Sequence, residues 1–274
     1  MQCLNPVHLR TVSAGFARER TVPCGKCLAC LSNRRSDWVI RLQEEAKSSL
    51  YSVFFTLTYD DDHIPVDGVS KRDIQLFMKR FRKELSPILV RYFISSEYGP
   101  QTLRPHYHGV LFLNGSVDIL LFLQKSWQNG FVTIGDVNNN RLGYVAKYCL
   151  SLGQVPEGQN SLFMLCSRRP AIGDAYLTDS VSFYHRDGLN DFYRDGKSKR
   201  RLPRYYREKL FDDDMKYNLR KQNEDRASKS FEDYSNKYDS YDLALSPLAL
   251  SMAKQMEEDF KRRALNNLSK NSQI

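Results

Sequence analysis

The segment Arg104-Pro105-His106-Tyr107-His108-Gly109-Val110-Leu111-Phe112 constrains the fold more than any other, because it reads as a strand that carries two imidazoles. Side chains at i and i+2 of a strand share a face. His106 and His108 can therefore hold one cation together, while Tyr107 packs on the other side. Nine residues before His106, the strand-like run Arg91-Tyr92-Phe93-Ile94-Ser95-Ser96-Glu97 ends in a carboxylate that a hairpin would return beside them. Two imidazoles and one carboxylate leave positions open for water or a phosphate oxygen, as in a catalytic rather than a structural metal site. The plainer reading of Glu97 is a solvated strand-end charge, with a third ligand from elsewhere.

Downstream, Gly143-Tyr144-Val145-Ala146-Lys147-Tyr148-Cys149-Leu150 suits a helix, in which i and i+4 are neighbours. Tyr144 and Tyr148 would present two phenols side by side, with Lys147 close by. A phenol with a pKa near ~10 is a poor nucleophile at neutral pH. A divalent ion polarising a phosphodiester, with a lysine near the developing charge, supplies the missing activation. Taken separately, two tyrosines at this spacing are more often a packing pair, and Lys147 a solvent-facing lysine. The joint occurrence of strand, carboxylate, His-x-His and Tyr-x-x-Lys-Tyr within about fifty residues is the specific signal.

Together these segments resemble the HUH endonuclease superfamily, the rolling-circle replication initiators and relaxases. Its first motif looks like Phe54-Phe55-Thr56-Leu57-Thr58-Tyr59, its second like Pro105-His106-Tyr107-His108-Gly109, and its third like Tyr144 to Tyr148 with Lys147. A narrower likeness, to the gokushovirus-type replication initiators of microviruses, rests on Pro23-Cys24-Gly25-Lys26-Cys27, Tyr144-Val145-Ala146-Lys147-Tyr148 and Ser167-Arg168-Arg169-Pro170-Ala171-Ile172-Gly173. The resemblance covers residues near 20 to 180, and little of the C-terminal third. It implies a metal-dependent endonuclease and strand transferase that nicks single-stranded origin DNA of a small circular phage genome. A tyrosine is left on the 5′-phosphate, the free 3′-hydroxyl primes synthesis, and the strand is later rejoined. His106, His108 and Glu97 would hold Mg2+ or Mn2+; Tyr144 and Tyr148 would be the nucleophiles, assisted by Lys147. Host helicase and replication proteins would be partners, in the cytoplasm of a bacterial host. The rival readings are a relaxase or transposase of the same superfamily, and a non-catalytic zinc-containing nucleic-acid-binding protein with the histidines as packed strand residues.

A formal charge of +9 over 274 residues suits a polyanionic partner, because lysine and arginine neutralise phosphates and release counterions, although an ordinary basic surface gives the same number. No apolar run approaches the ~20 residues that span a bilayer, and the start Met1-Gln2-Cys3-Leu4-Asn5-Pro6 lacks the features of a signal peptide. A soluble, intracellular protein is expected. Of six cysteines, Cys24, Cys27 and Cys30 have the spacing of a zinc knuckle, with Cys3 the best fourth ligand and His8 behind it. Plain reduced thiols are the alternative; Cys149 and Cys166 read as core residues.

The pattern of apolar residues predicts three regions: a Cys-rich arm with little periodicity (1–32), an endonuclease domain (33–180), and a basic, aromatic linker with a helical charged C-terminal region (181–274). Helices are expected at 33–50, 70–85 and 117–127, and strands at 51–59, 91–97, 106–113, 131–137 and 161–167. The central pair reads as a hairpin, which favours an α+β fold with a central antiparallel sheet flanked by helices; the resemblance makes it ferredoxin/RRM-like. The cations of the second helical pattern, Lys79, Arg80, Arg82 and Lys83, either grip DNA or face water. The run from Arg194 to Arg207 mixes cations with aromatics, which suits phosphate contact plus base stacking or a solvated linker. Arg168, Arg169, Lys199, Arg200, Arg201 and Arg204 are the candidate DNA contacts.

Overall fold

The computed structural model describes residues 3, 5–13, 16–148, 155–223 and the isolated positions 225, 258, 261, 262 and 265. They divide into two units, one drawn from residues up to Asp37 and from Leu177 onward, the other running from Trp38 to Tyr176. The reading of Cys149 lies outside the described residues, as does most of that made for 224–274.

In the first unit β1 (Val7–Ser13) pairs antiparallel with β2 (Phe16–Val22), Val7 opposite Val22 and Ser13 opposite Phe16. The sequence shows little periodicity here, and Val7 and Leu9 are indeed exposed. Helix α1 (Leu28–Lys47) follows, starting earlier than its apolar pattern predicts because Leu31 N–H bonds Cys27 O directly after the cysteine turn. It gives its residues up to Asp37 to this unit and the rest to the other.

The second unit is built on β3 (Tyr51–Tyr59), where Val53, Phe55, Leu57 and Tyr59 are buried at every second position. Helix α2 (Lys71–Glu84) is capped by Ser70, whose hydroxyl accepts from Asp73 N–H, and buries Ile74, Phe77, Met78 and Phe81 at helical spacing. After it come β4 (Val90–Tyr98), β5 (Pro105–Leu113), α3 (Ile119–Ser126), β6 (Gly130–Asp136), α4 (Asn139–Tyr148) and the short β7 (Met164–Cys166). The strands form one antiparallel sheet in the order β6-β3-β5-β4-β7. The α+β fold with a central antiparallel sheet is thus as the sequence predicts.

Each face of this sheet has a separate task. On one, Phe55, Leu57, Tyr59, Ile94, Tyr107 and Leu111 pack with residues of α2 and α3 into the main core. On the other, α4 packs against β4 and β5, and Trp38 of α1 lies 4.9 Å from Phe93. With helices on both faces, the central β5 reads as an almost continuous buried run. The cations of α2 serve this packing: Arg80 Nε donates to Ser126 O at 2.9 Å and Arg82 to Val90 O at 3.1 Å. The acidic loop after β3 is a turn, closed by Asp60 Oδ1 accepting from His63 N–H at 3.0 Å.

The rest of the first unit holds α5 (Asp179–Asp187), a hairpin of β8 (Phe192–Asp195) and β9 (Ser198–Arg201), and α6 (Arg204–Leu210). Residues 213–223 are helical. The basic, aromatic run expected as a linker is therefore ordered secondary structure, turned at Gly196 with φ +57°. No helix among the described residues is long and apolar enough to cross a membrane.

Gly109 closes the His-x-His strand against the core: a Cβ there would lie 2.5 Å from Phe55 Cζ and 3.0 Å from Ile94 Cγ1. Both neighbours are fully buried and cannot yield cheaply. Gly109→Ala is expected to lower stability by about 1–3 kcal/mol, read as a fall in the urea midpoint without a change in slope.

Candidate active site

Strand register assembles the site. Along β5, His106 stands opposite Thr58 of β3 and Glu97 of β4, and His108 opposite Thr56 and Ser95. Directly paired residues share a face, so these side chains make two adjacent rows on the side covered by α4. The carboxylate expected to return beside the histidines does so, and residues 48 positions apart in sequence, Thr58 and His106, meet across one ladder.

His108 is held at both ring nitrogens. Its Nε2 lies 2.8 Å from Glu97 Oε2, with both side chains only about a tenth exposed, and Nδ1 lies 3.0 Å from Thr56 Oγ1. With Nε2–H donating to the carboxylate, a neutral ring accepts the threonine hydroxyl at Nδ1. Phe54 stacks beside the ring and Tyr144 meets it edge-on at 5.1 Å between centroids. Thr56 and Phe54 are visible in sequence only as parts of a hydrophobic strand; their role emerges from the pairing of β3 with β5.

His106 is different. Its Nδ1 is buried and finds no hydrogen-bond partner among the described residues. Burial, reinforced by repulsion from the cationic form of His108 and from Arg104, holds its pKa below the usual imidazole value, with Glu97 acting in the opposite sense. A neutral imidazole with an unpartnered buried nitrogen is a donor suited to a divalent cation, and the set of two histidines and a carboxylate fits one. The three donors do not, however, all approach within 4.8 Å; among the described residues only the cysteine cluster does so. Glu97 turns instead to His108 and to Tyr144, whose hydroxyl donates to Glu97 Oε2 at 3.4 Å.

Helix α4 brings that phenol in. It begins in the polar run before the tyrosines, where Asn138 Oδ1 accepts from Arg141 N–H at 2.9 Å. Ser95, fully buried on β4, donates to Val145 O at 3.3 Å and so ties the helix to the sheet beside His108. Lys147 is half-buried on the same helix. Tyr148 lies one turn beyond Tyr144, and its side chain is outside the described residues.

The segment Ser167–Gly173 is clamped. Arg91 bonds Glu45 and the carbonyls of Pro170 at 3.1 Å and Ala171 at 3.0 Å, while Gly173 N–H donates to Glu45 Oε2 at 2.6 Å. Arg168 and Arg169 are exposed at its start. In the other unit, Lys199 lies over the Phe192 ring at 4.3 Å, Arg200 pairs with Asp195 at 3.0 Å, Arg201 pairs with Asp37 at 2.8 Å, and Arg204 donates its backbone N–H to Asp37 at 3.1 Å.

There too, the sulfurs of Cys3, Cys24, Cys27 and Cys30 all lie within 4.8 Å of one another and could hold a metal ion. Cys3 and Cys27 sulfurs are 3.8 Å apart, matching the roughly 3.8 Å between two sulfurs bound tetrahedrally to zinc at about 2.3 Å. The turn at Gly25, with φ +74°, points the backbone N–H groups of Lys26 and Cys27 at Cys24 Sγ, at 3.5 and 3.3 Å. Those donors lower the Cys24 pKa, whereas burial pushes the Cys30 thiol up to about 12. His8 instead lies 3.0 Å from the Thr21 hydroxyl.

Known proteins share these segments. Residues 52–152, which include Thr56, Glu97, both histidines and both tyrosines, match the family of the Replication-associated protein ORF2. The chain is 28% identical over 212 residues to the Replication-associated protein VP4 of Bdellovibrio phage phiMH2K, covering 68% of this chain and 66% of the relative. It is 31% identical over 152 residues to the Replication-associated protein ORF2 of Spiroplasma virus 4, covering 47% of each. To the Replication-associated protein ORF4 of Chlamydia phage 1 it is 27% identical over 148 residues, 46% of this chain and 37% of that one. The chain thus spans just under two thirds of the first relative and less than half of the other two. No solved structure gives a significant match. The resemblance to phage replication initiators, drawn from the motifs, is borne out.

Protein purified without chelator is expected to carry one thiolate-bound ion per chain by elemental analysis. Cys24→Ser with Cys27→Ser should remove it and lower the melting temperature of the unit that holds β1 and β2.

Proposed function

We propose that this protein is a replication endonuclease and strand transferase that nicks single-stranded origin DNA of a small circular phage genome. The observation that carries the reading is the Tyr144 hydroxyl, hydrogen-bonded to the carboxylate that pairs with His108 and stands in register with His106. Side chains from β3, β4, β5 and α4 thereby converge on one buried polar spot, beside which a phosphodiester can lie. A cation such as magnesium or manganese, held by His106, His108 and Glu97, would polarise a phosphate oxygen and ease loss of the phenolic proton.

The chain's own residues supply the rest. Tyr144, or Tyr148 one turn away, attacks phosphorus; a tyrosyl O–P bond forms as the bond to the 3′-oxygen breaks, and that oxygen takes up a proton to become a free 3′-hydroxyl. The energy of the phosphodiester is kept in the 5′-phosphotyrosyl link, so rejoining is the reverse reaction and needs no nucleotide. Two tyrosines permit repeated action, the second cleaving the regenerated origin while the first still holds the old end. Lys147 offsets charge on the phosphate. Thr56 and Glu97 keep the His108 ring in one orientation and one tautomer. Extension from the 3′ end calls for a polymerase and a helicase, which this reading assigns to the bacterial host. In the cysteine cluster the ion is structural zinc.

Mixing the protein with single-stranded fragments tiling the phage genome tests the reading on denaturing gels. A manganese-dependent covalent adduct is expected, absent in EDTA and in Tyr144→Phe with Tyr148→Phe. His106→Ala and His108→Ala should each abolish it, and Thr56→Val should weaken metal affinity by about 10–100-fold. Retarded bands without any adduct on any fragment would instead favour a non-catalytic binder.

A further inference from the structure

The first unit holds a cavity of about 1140 Å³, larger than the ~300–1,000 Å³ of most small-molecule pockets. Its wall is strongly cationic. Arg34 comes from α1, Arg201 from the end of β9, Arg204 and Arg207 from α6, and Lys216 and Arg220 from the helical residues 213–223. Against these six cations stand two carboxylates, Asp37 and Glu208. Asp37 takes Arg201 at 2.8 Å and the backbone N–H of Arg204 at 3.1 Å; Glu208 takes Lys216 at 2.9 Å and Arg204 at 4.0 Å. Among the described residues no carboxylate forms a salt bridge or hydrogen bond with Arg34, Arg207 or Arg220. Four separate segments thus bring like charges to one concave surface, and the internal counter-charges are spent on the other three cations.

Such an arrangement is costly by itself, since like charges in a cleft repel and the low-dielectric walls focus their field. A chain of phosphates would relieve the repulsion and release the counterions the cleft otherwise gathers. The floor supports this use: Pro23, Gly25 and Cys30 of the cysteine knuckle line the same cavity, so the fold that gathers the four sulfurs also sets one wall of the cleft. The exposed Arg34 and Arg220 lie at its solvent side, with Arg207 half-buried between. We infer that this cleft is a second nucleic-acid site, which grips the phosphate backbone of single-stranded DNA through Arg34, Arg207 and Arg220. The inference rests on the reading of single-stranded DNA as the substrate, and it assigns the cleft to holding the strand, without sequence readout and without chemistry.

The test uses the full metal-loaded chain carrying Tyr144→Phe and Tyr148→Phe, so that binding is read without cleavage. Anisotropy of labelled oligo-dT is measured across a salt series. Single strands lose about 0.7 in the slope of log K against log salt for each phosphate contact removed. Arg34→Gln, Arg207→Gln and Arg220→Gln together should therefore flatten the slope by about 2 and weaken binding at least about tenfold at low salt. The corresponding three Lys replacements should retain the slope. Arg34→Gln alone, at an exposed position, should flatten it by about 0.7 and so reports even if the triple variant folds poorly. An unchanged slope and affinity in the Gln variants would overturn the inference, as would an equal loss in the Lys variants, which would mean that the arginines act by packing. Because no covalent adduct is scored, an inactive parent chain that shows the slope change would remove the nickase reading and leave the cleft standing.

Discussion

The buried hydrogen bonds of Tyr107 fix where β5 lies along its neighbours. Its hydroxyl accepts from Ser70 N–H at 2.6 Å and sits 2.9 Å from the Tyr59 hydroxyl, which in turn donates to Asp73 at 2.7 Å. Burial raises the Tyr107 pKa to about 12, so the group stays neutral and its bonds stay intact. Because side chains alternate, a slip of one residue would carry Tyr107 to the α4 face and send His106 and His108 into the apolar core. Gly109, closed over by Phe55, bars the same slip from the next position. The core on one side of the sheet therefore positions the polar rows on the other, and a satisfied buried network makes that choice a sharp one.

The two histidines that share those rows are not equivalent. His108 has a partner at each nitrogen and behaves as a fixed frame, to which Glu97 and the Tyr144 phenol are joined. His106 keeps a buried nitrogen without a partner among the described residues and is neutral because charging it would be costly in that setting. One imidazole gives orientation and the other gives a lone pair. The same division recurs along α4, where Ser95 secures the helix backbone and leaves the tyrosine side chain to face the site.

Much of this was legible in the sequence because it depends on short periods. The alternation in Val53, Phe55, Leu57 and Tyr59 marks β3, the i, i+2 histidines mark a shared face, and Glu97 is implied by a hairpin between neighbouring strands. Thr56 escaped notice because its partner lies 52 residues away in a different strand. The β1–β2 hairpin was hidden for another reason: Val7 and Leu9 stay exposed, so no buried stripe sets a pattern. In the run from Arg194 to Arg207 the density of charge masked a recognisable turn signal, Asp195-Gly196, with Tyr193 buried beside it. The cationic cleft has no local signature at all, since its arginines come from segments far apart in the chain.

That last separation affects the order in which the protein can be made. The unit with the histidine-bearing sheet is one continuous stretch from Trp38 to Tyr176, whereas the other unit draws on chain from both sides of it. On the ribosome the cysteines emerge first and the sheet next, and domains generally fold as they emerge. The cleft must wait, because Arg34 is exposed to the cell well before Arg207 and Arg220 are translated. A nascent chain stalled after Tyr176 would thus own the histidines and tyrosines but not the cleft, so the capacity to cut would arise during synthesis ahead of the capacity to hold on.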